Sequence, residues 1–147
     1  GIGSGAIALS IAHYKRHINV YGVDNSDIAM KVANINRERY NLDNVKLYKR
    51  NLFKGVEELG IKFHIIASNP PYIPSEEIQT LQDGLDFYRE IISKSKKYLE
   101  EKGLLIFEIG CEQGKDVSNL LLNEDFENIK VLKDLQGLDR VVLATKK

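Results

Sequence analysis

The sequence predicts an α/β protein with a mostly parallel β-sheet that ends in an antiparallel hairpin. Short runs of β-branched and other apolar residues alternate along the chain with segments in which apolar residues recur at helical spacing. A glycine-rich loop, residues 1–5, opens directly into the first of these helical segments. Near the end of the chain, Gly137 separates two strand-like runs, which suits the turn of a hairpin. Such alternation of helical and strand patterns is typical of α/β folds.

The first half of the chain predicts two helices and two strands after the loop. Residues 6–16 predict a helix whose apolar side chains at i, i+4 and i+7 share one face: Ile7, Ile11 and Tyr14. Residues 18–24 are β-branched and predict a strand that ends on an acid. A second helix is capped by Asn25 or Ser26, and its apolar face comprises Ile28, Val32 and Ile35. Ala29 and Ala33 in the same helix allow close approach. Residues 45–48 predict a short strand.

The second half predicts four strands and two helices. Residues 63–68 form an apolar run that predicts a buried strand. A long helix ends at Gly103 and has one face formed by Tyr88, Ile91, Ile92, Ser95 and Leu99. A shorter helix is predicted over 115–122, and strands are predicted over 104–109, 128–132 and 141–145.

The glycine loop stands at the very start of the sequence, whereas such a loop normally follows a strand. Parallel strands are buried on both faces, so removing that strand would open the middle of the sheet. We therefore expect that residues upstream of Gly1, including the first strand, belong to the native polypeptide.

Composition places the chain among ordinary globular domains. Its 147 residues suffice for one domain, and 43% hydrophobic with 29% charged residues disfavours disorder. Lys plus Arg equals Asp plus Glu, 21 against 21, so we expect no direct nucleic-acid binding driven by a global positive field. One cysteine, no secretory signal and no apolar run long enough to cross a bilayer predict a cytoplasmic protein without a membrane partner.

The loop Gly1-Ile2-Gly3-Ser4-Gly5 predicts a nucleotide-type cofactor site. Glycines allow backbone N–H groups at a helix start to approach a ligand closely. Asp24 ends the next predicted strand, about 20 residues on, where a carboxylate accepts hydrogen bonds from ribose hydroxyls. With Ala6 the loop also fits the dinucleotide pattern, so these residues alone leave both a nicotinamide cofactor and S-adenosylmethionine open.

The tetrapeptide Asn69-Pro70-Pro71-Tyr72 favours a methyl donor. It follows a predicted strand directly, at the end where ligands bind in open α/β sheets. The prolines stiffen the loop and offer no N–H, so the Asn69 side-chain oxygen and the Pro70 carbonyl can each accept a hydrogen from a substrate NH2 group. The ring of Tyr72 can lie against a planar amide or base. Gripping both hydrogens would orient a weakly nucleophilic nitrogen toward a methyl sulfonium.

Other side chains give weaker signals. Glu108, on an apolar strand, is either a structural acid or a carboxylate at the end of the sheet near the site. Cys111 has no His or Asn framework near it and is interpreted as a packing residue. The three histidines are scattered, and no Cys/His spacing indicates a metal site.

Six strings in order along the chain resemble the HemK/PrmC family of peptide-chain release factor glutamine N5-methyltransferases: GIGSGAIALS, VYGVD, ASNPPYI, DGLDFYREI, IFEIGCEQG and DLQGLDRVV. The resemblance runs from Gly1 to Ala144. It implies a class I S-adenosylmethionine-dependent methyltransferase fold, with residues 1–147 as its catalytic domain. It also implies S-adenosyl-L-methionine as donor and, as acceptor, the glutamine of a release factor's Gly-Gly-Gln motif, a protein methylation in translation termination.

The resemblance also implies roles for particular residues. Gly1, Ile2, Gly3, Ser4 and Gly5 would hold the methionine moiety of the donor, Asp24 the ribose, and Asn51 and Leu52 the adenine. Asn69, Pro70, Pro71 and Tyr72 would bind the glutamine side chain. Of these, Asn69, Pro70 and Tyr72 would be catalytic, and Asn69 would also border the donor.

The sequence departs from the family pattern in three ways. Asn51 stands where the family often has an aspartate, although its amide oxygen still accepts from an adenine amino group. The stretch between Pro74 and Asp83 is short, either by a deletion or because residues have been left out. The family's small N-terminal helical domain lies outside the sequence.

Three other functions remain open from the sequence. An N6-adenine or N4-cytosine nucleic-acid methyltransferase would use the same Asn-Pro-Pro-Tyr geometry on a base amine, but would need a basic cleft. A nicotinamide-dependent oxidoreductase would use the glycine loop and leave Asn69 to Tyr72 without a role. A non-catalytic module would keep the fold and bind a partner.

Overall fold

The computed structural model describes residues 1–54, 56–70 and 84–147. In it the chain divides into two compact units, Gly1–Gly60 and Ile61–Lys147. Each unit has its own β-sheet, with two strands in the first and four in the second. None of the helices in the described ranges is both long and apolar enough to cross a membrane.

The first unit is a βαβ arrangement preceded by a loop and a helix. Its elements are α1 (Ala6–Tyr14), β1 (Val20–Asp24), α2 (Asp27–Arg39), β2 (Val45–Lys49) and a 3-10 turn (Glu57–Leu59). Strands β1 and β2 pair in parallel, from Val20 opposite Val45 to Asp24 opposite Lys49. Ser26 caps α2, as expected, by accepting a hydrogen bond from the backbone N–H of Ala29. The parallel register brings the carboxyl ends of both strands to one edge of this sheet.

The apolar helix faces predicted for this unit are wrong. The core is formed by Leu9 and Ala12 of α1 with Leu42 and Val45, whereas the predicted faces are exposed: Ile7 44%, Ile11 40%, Tyr14 80%, Ile28 77%, Val32 38% and Ile35 54%. Each helix instead buries one large and one small residue: Leu9 with Ala12 in α1, and Met30 with Ala33 in α2. The full burial of Ala33 agrees with the close approach expected there, whereas the burial of Ala12 does not follow from the spacing of large apolar residues.

The second unit is a mixed sheet with two helices. Its elements are β3 (Phe63–Ser68), α3 (Asp86–Tyr98), β4 (Leu99–Glu108), α4 (Gly114–Asn123), β5 (Phe126–Lys133) and β6 (Asp139–Lys146). The strand order is β3-β4-β6-β5, with β3 and β4 parallel and the other two pairs antiparallel. The α/β prediction and the predicted terminal hairpin are confirmed, and Gly137 lies in the hairpin turn with a φ of 81°.

Two predictions for this unit are wrong in detail. The helix predicted to end at Gly103 ends at Tyr98, because the chain passes directly into β4 at Leu99. A register shift against β3 and a φ of 63° at Lys102 accommodate the residues before Gly103 within the strand. Strand β3, predicted to be buried, is an edge strand of its sheet, and Ile65 is 54% exposed.

Candidate functional site

The glycine loop of the first unit adopts backbone conformations that favour glycine. Gly3 has a φ of 56° and Gly5 a φ of 85°. Gly5 caps α1, because its carbonyl accepts the hydrogen bond of Leu9 N at 2.8 Å. A Cβ on Gly5 would lie 2.6 Å from Cδ1 of Leu9, whereas a Cβ on Gly3 would meet no heavy atom of the described residues within 4 Å. The loop therefore faces open space at Gly3 and packed side chain at Gly5.

The loop is tied to the end of β1 and to α2. Ile2 N donates to the Val23 carbonyl at 3.0 Å. The Ile2 side chain covers the strand so closely that a Cβ on Gly22 would overlap its Cδ1. Asn36 Nδ2 of α2 donates to the Ser4 carbonyl at 2.9 Å. These contacts hold the loop in one conformation, which is the preorganisation that a binding loop requires.

Asp24 is the last residue of β1 and is only 8% exposed. Its Oδ2 accepts from Gly3 N and its Oδ1 from Ser26 N, both at 2.9 Å. Burial pushes the pKa of Asp24 upward, but the backbone hydrogen bonds from Gly3 and Ser26 lower it, and the pKa lies below its ordinary value. A carboxylate has roughly four lone-pair sites, so acceptor capacity remains for ribose hydroxyls.

Asn51 and Leu52 follow β2, at the same edge of the sheet. Arg50 N donates to the Asp24 carbonyl at 2.9 Å, which joins the two strand ends. Asn51 is exposed, and its carbonyl accepts from Lys54 N in a turn. Leu52 has a φ of 49°, an unusual conformation for a branched side chain. The structure therefore brings together at one edge the residues predicted to bind the donor in this unit.

The second unit carries the predicted acceptor residues that fall within the described ranges. Asn69 and Pro70 follow β3, whose last residue, Ser68, pairs with Phe107 of β4. Asn69 is exposed and Pro70 is buried. Pro71 and Tyr72, which were predicted to complete the acceptor site, lie outside the described residues. Glu108, the last residue of β4, follows Phe107 as Asn69 follows Ser68 in the parallel register.

A hydrogen-bond network at the end of β4 is not among the sequence predictions. The hydroxyl of Tyr88, a fully buried residue of α3, donates to Gln113 Oε1 at 3.1 Å. Gln113 Oε1 also accepts from Gly110 N at 3.0 Å. From its spacing Tyr88 is one residue of a predicted helix face and Gln113 has no predicted role, although each lies in one of the six strings shared with the family. Their contact is a property of the tertiary structure that neither string shows alone.

The described ranges contain no group of three or more His, Cys, Asp or Glu side chains that are placed to hold a metal ion. The site residues instead offer backbone N–H groups, one carboxylate and neutral amide oxygens. Such groups recognise hydroxyls and amino groups of an organic ligand.

Sequence comparison places this chain among methyltransferases. Residues 1–139 match the family model described as methyltransferase small domain. The release factor glutamine methyltransferase of Clostridium acetobutylicum is 45% identical over 161 aligned positions, which cover 98% of this chain and 56% of that protein. The chain spans about half the length of the curated relatives it matches. The alignment is longer than the chain, so the Clostridium protein has residues within the matched span that this chain lacks, while their location between Pro74 and Asp83 stays a prediction.

Solved structures show the same fold. The methyltransferase from Pyrococcus furiosus superposes with a TM-score of 0.80 at 19% identity, over 99% of this chain and 72% of that one. The release factor-specific protein-(glutamine-N5) methyltransferase from Alicyclobacillus acidocaldarius gives a TM-score of 0.54 at 26% identity, over 98% of this chain and 92% of that one. The class I methyltransferase fold and the resemblance to release factor glutamine methyltransferases are thereby confirmed. The chain belongs to the methyltransferase small domain family.

Proposed function

We propose that this protein transfers a methyl group from S-adenosyl-L-methionine to the side-chain nitrogen, N5, of the glutamine in a release factor's Gly-Gly-Gln motif. The observation that carries the proposal is the exposed Asn69 followed by buried Pro70 at the end of β3, the position at which α/β sheets bind ligands. The names of the relatives support the acceptor.

The first unit fits the donor. Open space above Gly3 leaves room for a ligand against the backbone of the loop. Asp24 keeps acceptor capacity for ribose hydroxyls after binding Gly3 and Ser26. Asn51 and Leu52 stand at the neighbouring strand end and would hold the adenine. S-adenosylmethionine, when bound, supplies a methyl group that is electrophilic because it is attached to a sulfonium sulfur.

The second unit supplies acceptors for the substrate amide. The side-chain oxygen of Asn69 and the carbonyl of Pro70 would each accept one hydrogen of the glutamine NH2, and Tyr72 would lie against its plane. An amide nitrogen is a poor nucleophile because its lone pair is delocalised into the carbonyl. Two acceptors turn that lone pair toward the methyl carbon and stabilise positive charge on nitrogen as the N–C bond forms and the C–S bond breaks. The sulfur keeps the bonding electron pair, and the nitrogen then loses a proton to water.

The proposal extends to the setting of the reaction. Residues 1–147 would form the catalytic domain, and a release factor substrate places the protein in the cytoplasm, without a membrane partner. The alternative acceptor is the exocyclic amine of a nucleic-acid base, which the same Asn69 and Pro70 acceptors would serve. The equal number of acidic and basic residues gives no support for binding to a polyanion.

The test is methyl transfer from labelled S-adenosylmethionine by the native polypeptide to a purified release factor. We expect label on the release factor and none on a variant in which the Gly-Gly-Gln glutamine is replaced. DNA and RNA are offered in parallel reactions. Label on the glutamine-replaced factor, or on nucleic acid alone, would refute the proposed acceptor.

A further inference from the structure

We propose that Tyr88 and Gln113 are a pair of positioning residues for methyl transfer, acting through the segment Glu108–Gln113 that follows β4. This inference rests on the function proposed above. Neither residue was assigned a role by the sequence or by the acceptor mechanism. Both belong to the second unit, as do Asn69 and Pro70.

The hydroxyl of Tyr88 lies inside the second unit, and the packing of the ring does not by itself require it. Its ring is fully buried and meets Phe107 edge to face, with centroids 5.2 Å apart. The hydroxyl lies 3.1 Å from Gln113 Oε1 and 3.3 Å from the Glu108 carbonyl. A phenylalanine would fill the same space, whereas the hydroxyl connects the last residue of β4 to the first turn of α4. A buried tyrosine hydroxyl usually forms a hydrogen bond, because an unpaired polar group in the interior is costly.

Gln113 folds the segment back on itself. Its Oε1 accepts from Gly110 N at 3.0 Å, and its own N–H donates to the Gly110 carbonyl at 3.0 Å. A Cβ on Gly110 would lie 3.2 Å from that Oε1, so the side chain of Gln113 occupies the space above this glycine. The amide oxygen thus serves two donors, Gly110 and Tyr88, and fixes a turn of five residues between β4 and α4.

Arg140 holds the same segment from the other side. Ile109 N donates to the Arg140 carbonyl at 2.9 Å, and Arg140 Nη1 donates to the Ile109 carbonyl at 3.4 Å. The guanidinium is itself held by Asp134, with Nη2 3.0 Å from Oδ2. The segment is therefore held at Ile109 by β6 and at Gly110 and Gln113 by the hydrogen bonds of the pair Tyr88 and Gln113.

The segment adjoins the acceptor residues. Ser68 pairs with Phe107 in the parallel register, so Asn69 and Glu108 are the next residues at adjacent strand ends. A shift in the segment that begins at Glu108 would displace the strand end that adjoins Asn69. Methyl transfer depends on alignment of the nitrogen with the methyl carbon, and a displacement of about 1 Å can cost on the order of a hundredfold in rate. The pair should therefore act on kcat.

The experiment compares Tyr88→Phe, Gln113→Leu and Gln113→Glu in the native polypeptide, with release factor and labelled donor. Tyr98→Phe is the matched control, since Tyr98 is a buried tyrosine at the other end of α3. We expect kcat to fall about three- to tenfold in Tyr88→Phe and Gln113→Leu, with KM for both substrates changed less than about twofold. Gln113→Glu retains an oxygen that accepts from both donors and should keep most of the activity. The double variant Tyr88→Phe/Gln113→Leu should lose little more than Gln113→Leu alone, because Gln113→Leu already removes the hydrogen bond between Tyr88 and Gln113.

Wild-type kcat in Tyr88→Phe and Gln113→Leu would overturn the inference while leaving the proposed function intact. So would a loss of kcat that follows the melting temperature equally in Tyr88→Phe and Tyr98→Phe, because that result indicates a structural role alone. If the wild-type protein itself labels no release factor, the proposed function fails, and this inference fails with it.

Discussion

The backbone N–H of Gly3 donates a 2.9 Å hydrogen bond to Oδ2 of Asp24. The acid predicted to hold the ribose therefore also holds the loop predicted to hold the methionine moiety. Each sets the geometry of the other, because the loop N–H keeps the carboxylate charged and the carboxylate keeps Gly3 in its left-handed conformation. Substitutions at either residue should weaken donor binding more than they lower the free energy of unfolding.

Gly3→Ala should separate binding from stability. The new Cβ would enter open space, so the free energy of unfolding should fall only by the strain of alanine at a φ of 56°, about 1 kcal/mol. Donor affinity should fall by about tenfold or more, because the methyl group stands where the ligand approaches the backbone. Calorimetric titration with S-adenosylhomocysteine and urea unfolding measure the two effects.

Gly60→Ala is the matched control for Gly3→Ala. Gly60 has a φ of 61° and, among the described residues, also has no heavy atom within 4 Å of its Cβ position, but it follows the 3-10 turn and is not part of the glycine loop. We expect a similar loss of stability and unchanged donor affinity. Equal affinities for Gly3→Ala and Gly60→Ala would contradict a donor site over the loop.

Asp24→Asn should destabilise the protein in a pH-dependent way. The asparagine amide has one oxygen, which can accept from one of the two backbone N–H donors, and its NH2 group then faces the second donor. This mismatch costs about 1–3 kcal/mol. The pKa of Asp24 is lowered by folding, so the carboxylate contributes its full stability above its ordinary pKa of 3.8 and loses it as the pH falls through the lower folded value. Urea unfolding across this range should show the difference between wild type and Asp24→Asn shrinking toward zero in acid.

Asp27→Asn provides the comparison for Asp24→Asn. Asp27 forms an ion pair with Lys49, and the side chain of Asp27 is 81% exposed. Exposed pairs contribute little, so we expect a change of less than about 1 kcal/mol. The difference in free energy of unfolding between wild type and Asp24→Asn could instead stay constant from neutral pH into acid. That result would show that the charge of Asp24 does not contribute to stability.

The candidate donor and acceptor residues could be singled out from the sequence because each carries a local signal. Gly1 to Gly5 form a recognisable loop, Asp24 ends a strand, and Asn69 precedes two prolines. Strand ends in α/β folds gather at ligand sites, so position along the chain predicts position in the sheet. The residues that hold the site in shape, such as Gln113 and Asn36, act through contacts between distant segments, and no local pattern shows them.

The burial of the helices was not predictable from spacing for a related reason. Ala12 and Ala33 are fully buried, whereas Ile28 is 77% exposed. Periodicity weights large side chains, but each helix of this unit buries an alanine beside one large residue, Leu9 in α1 and Met30 in α2. Strand β3, in contrast, has the composition of a buried strand but lies at the edge of the four-stranded sheet. The residues of one strand do not specify its pairing partners, because these are set by the whole sheet.

At Leu52, substitution by glycine should destabilise the protein less than substitution by alanine, which is the reverse of the usual order. Leucine at a φ of 49° is strained by about 1–2 kcal/mol, and alanine retains that strain while losing the half-buried side chain. Glycine loses the side chain but relieves the strain, so Leu52→Gly should be more stable than Leu52→Ala by about 1 kcal/mol. Both variants should bind S-adenosylhomocysteine more weakly if Leu52 contacts the adenine. Leu47, also half-buried but within β2, should show the ordinary order, with alanine more stable than glycine.

Asn69→Ala should reduce kcat by about a hundred- to a thousandfold, the cost of removing one preorganised partner of a developing charge. The protein should fold as stably as wild type, because Asn69 is exposed. Asn69→Asp retains an acceptor oxygen and should lose less than Asn69→Ala. His64→Ala, at an exposed position of the same strand, should leave kcat unchanged. This ranking follows only if the Asn69 oxygen accepts a hydrogen from the substrate NH2. Methyl transfer that survives Asn69→Ala undiminished would leave the Pro70 carbonyl as the sole acceptor and refute the two-acceptor mechanism.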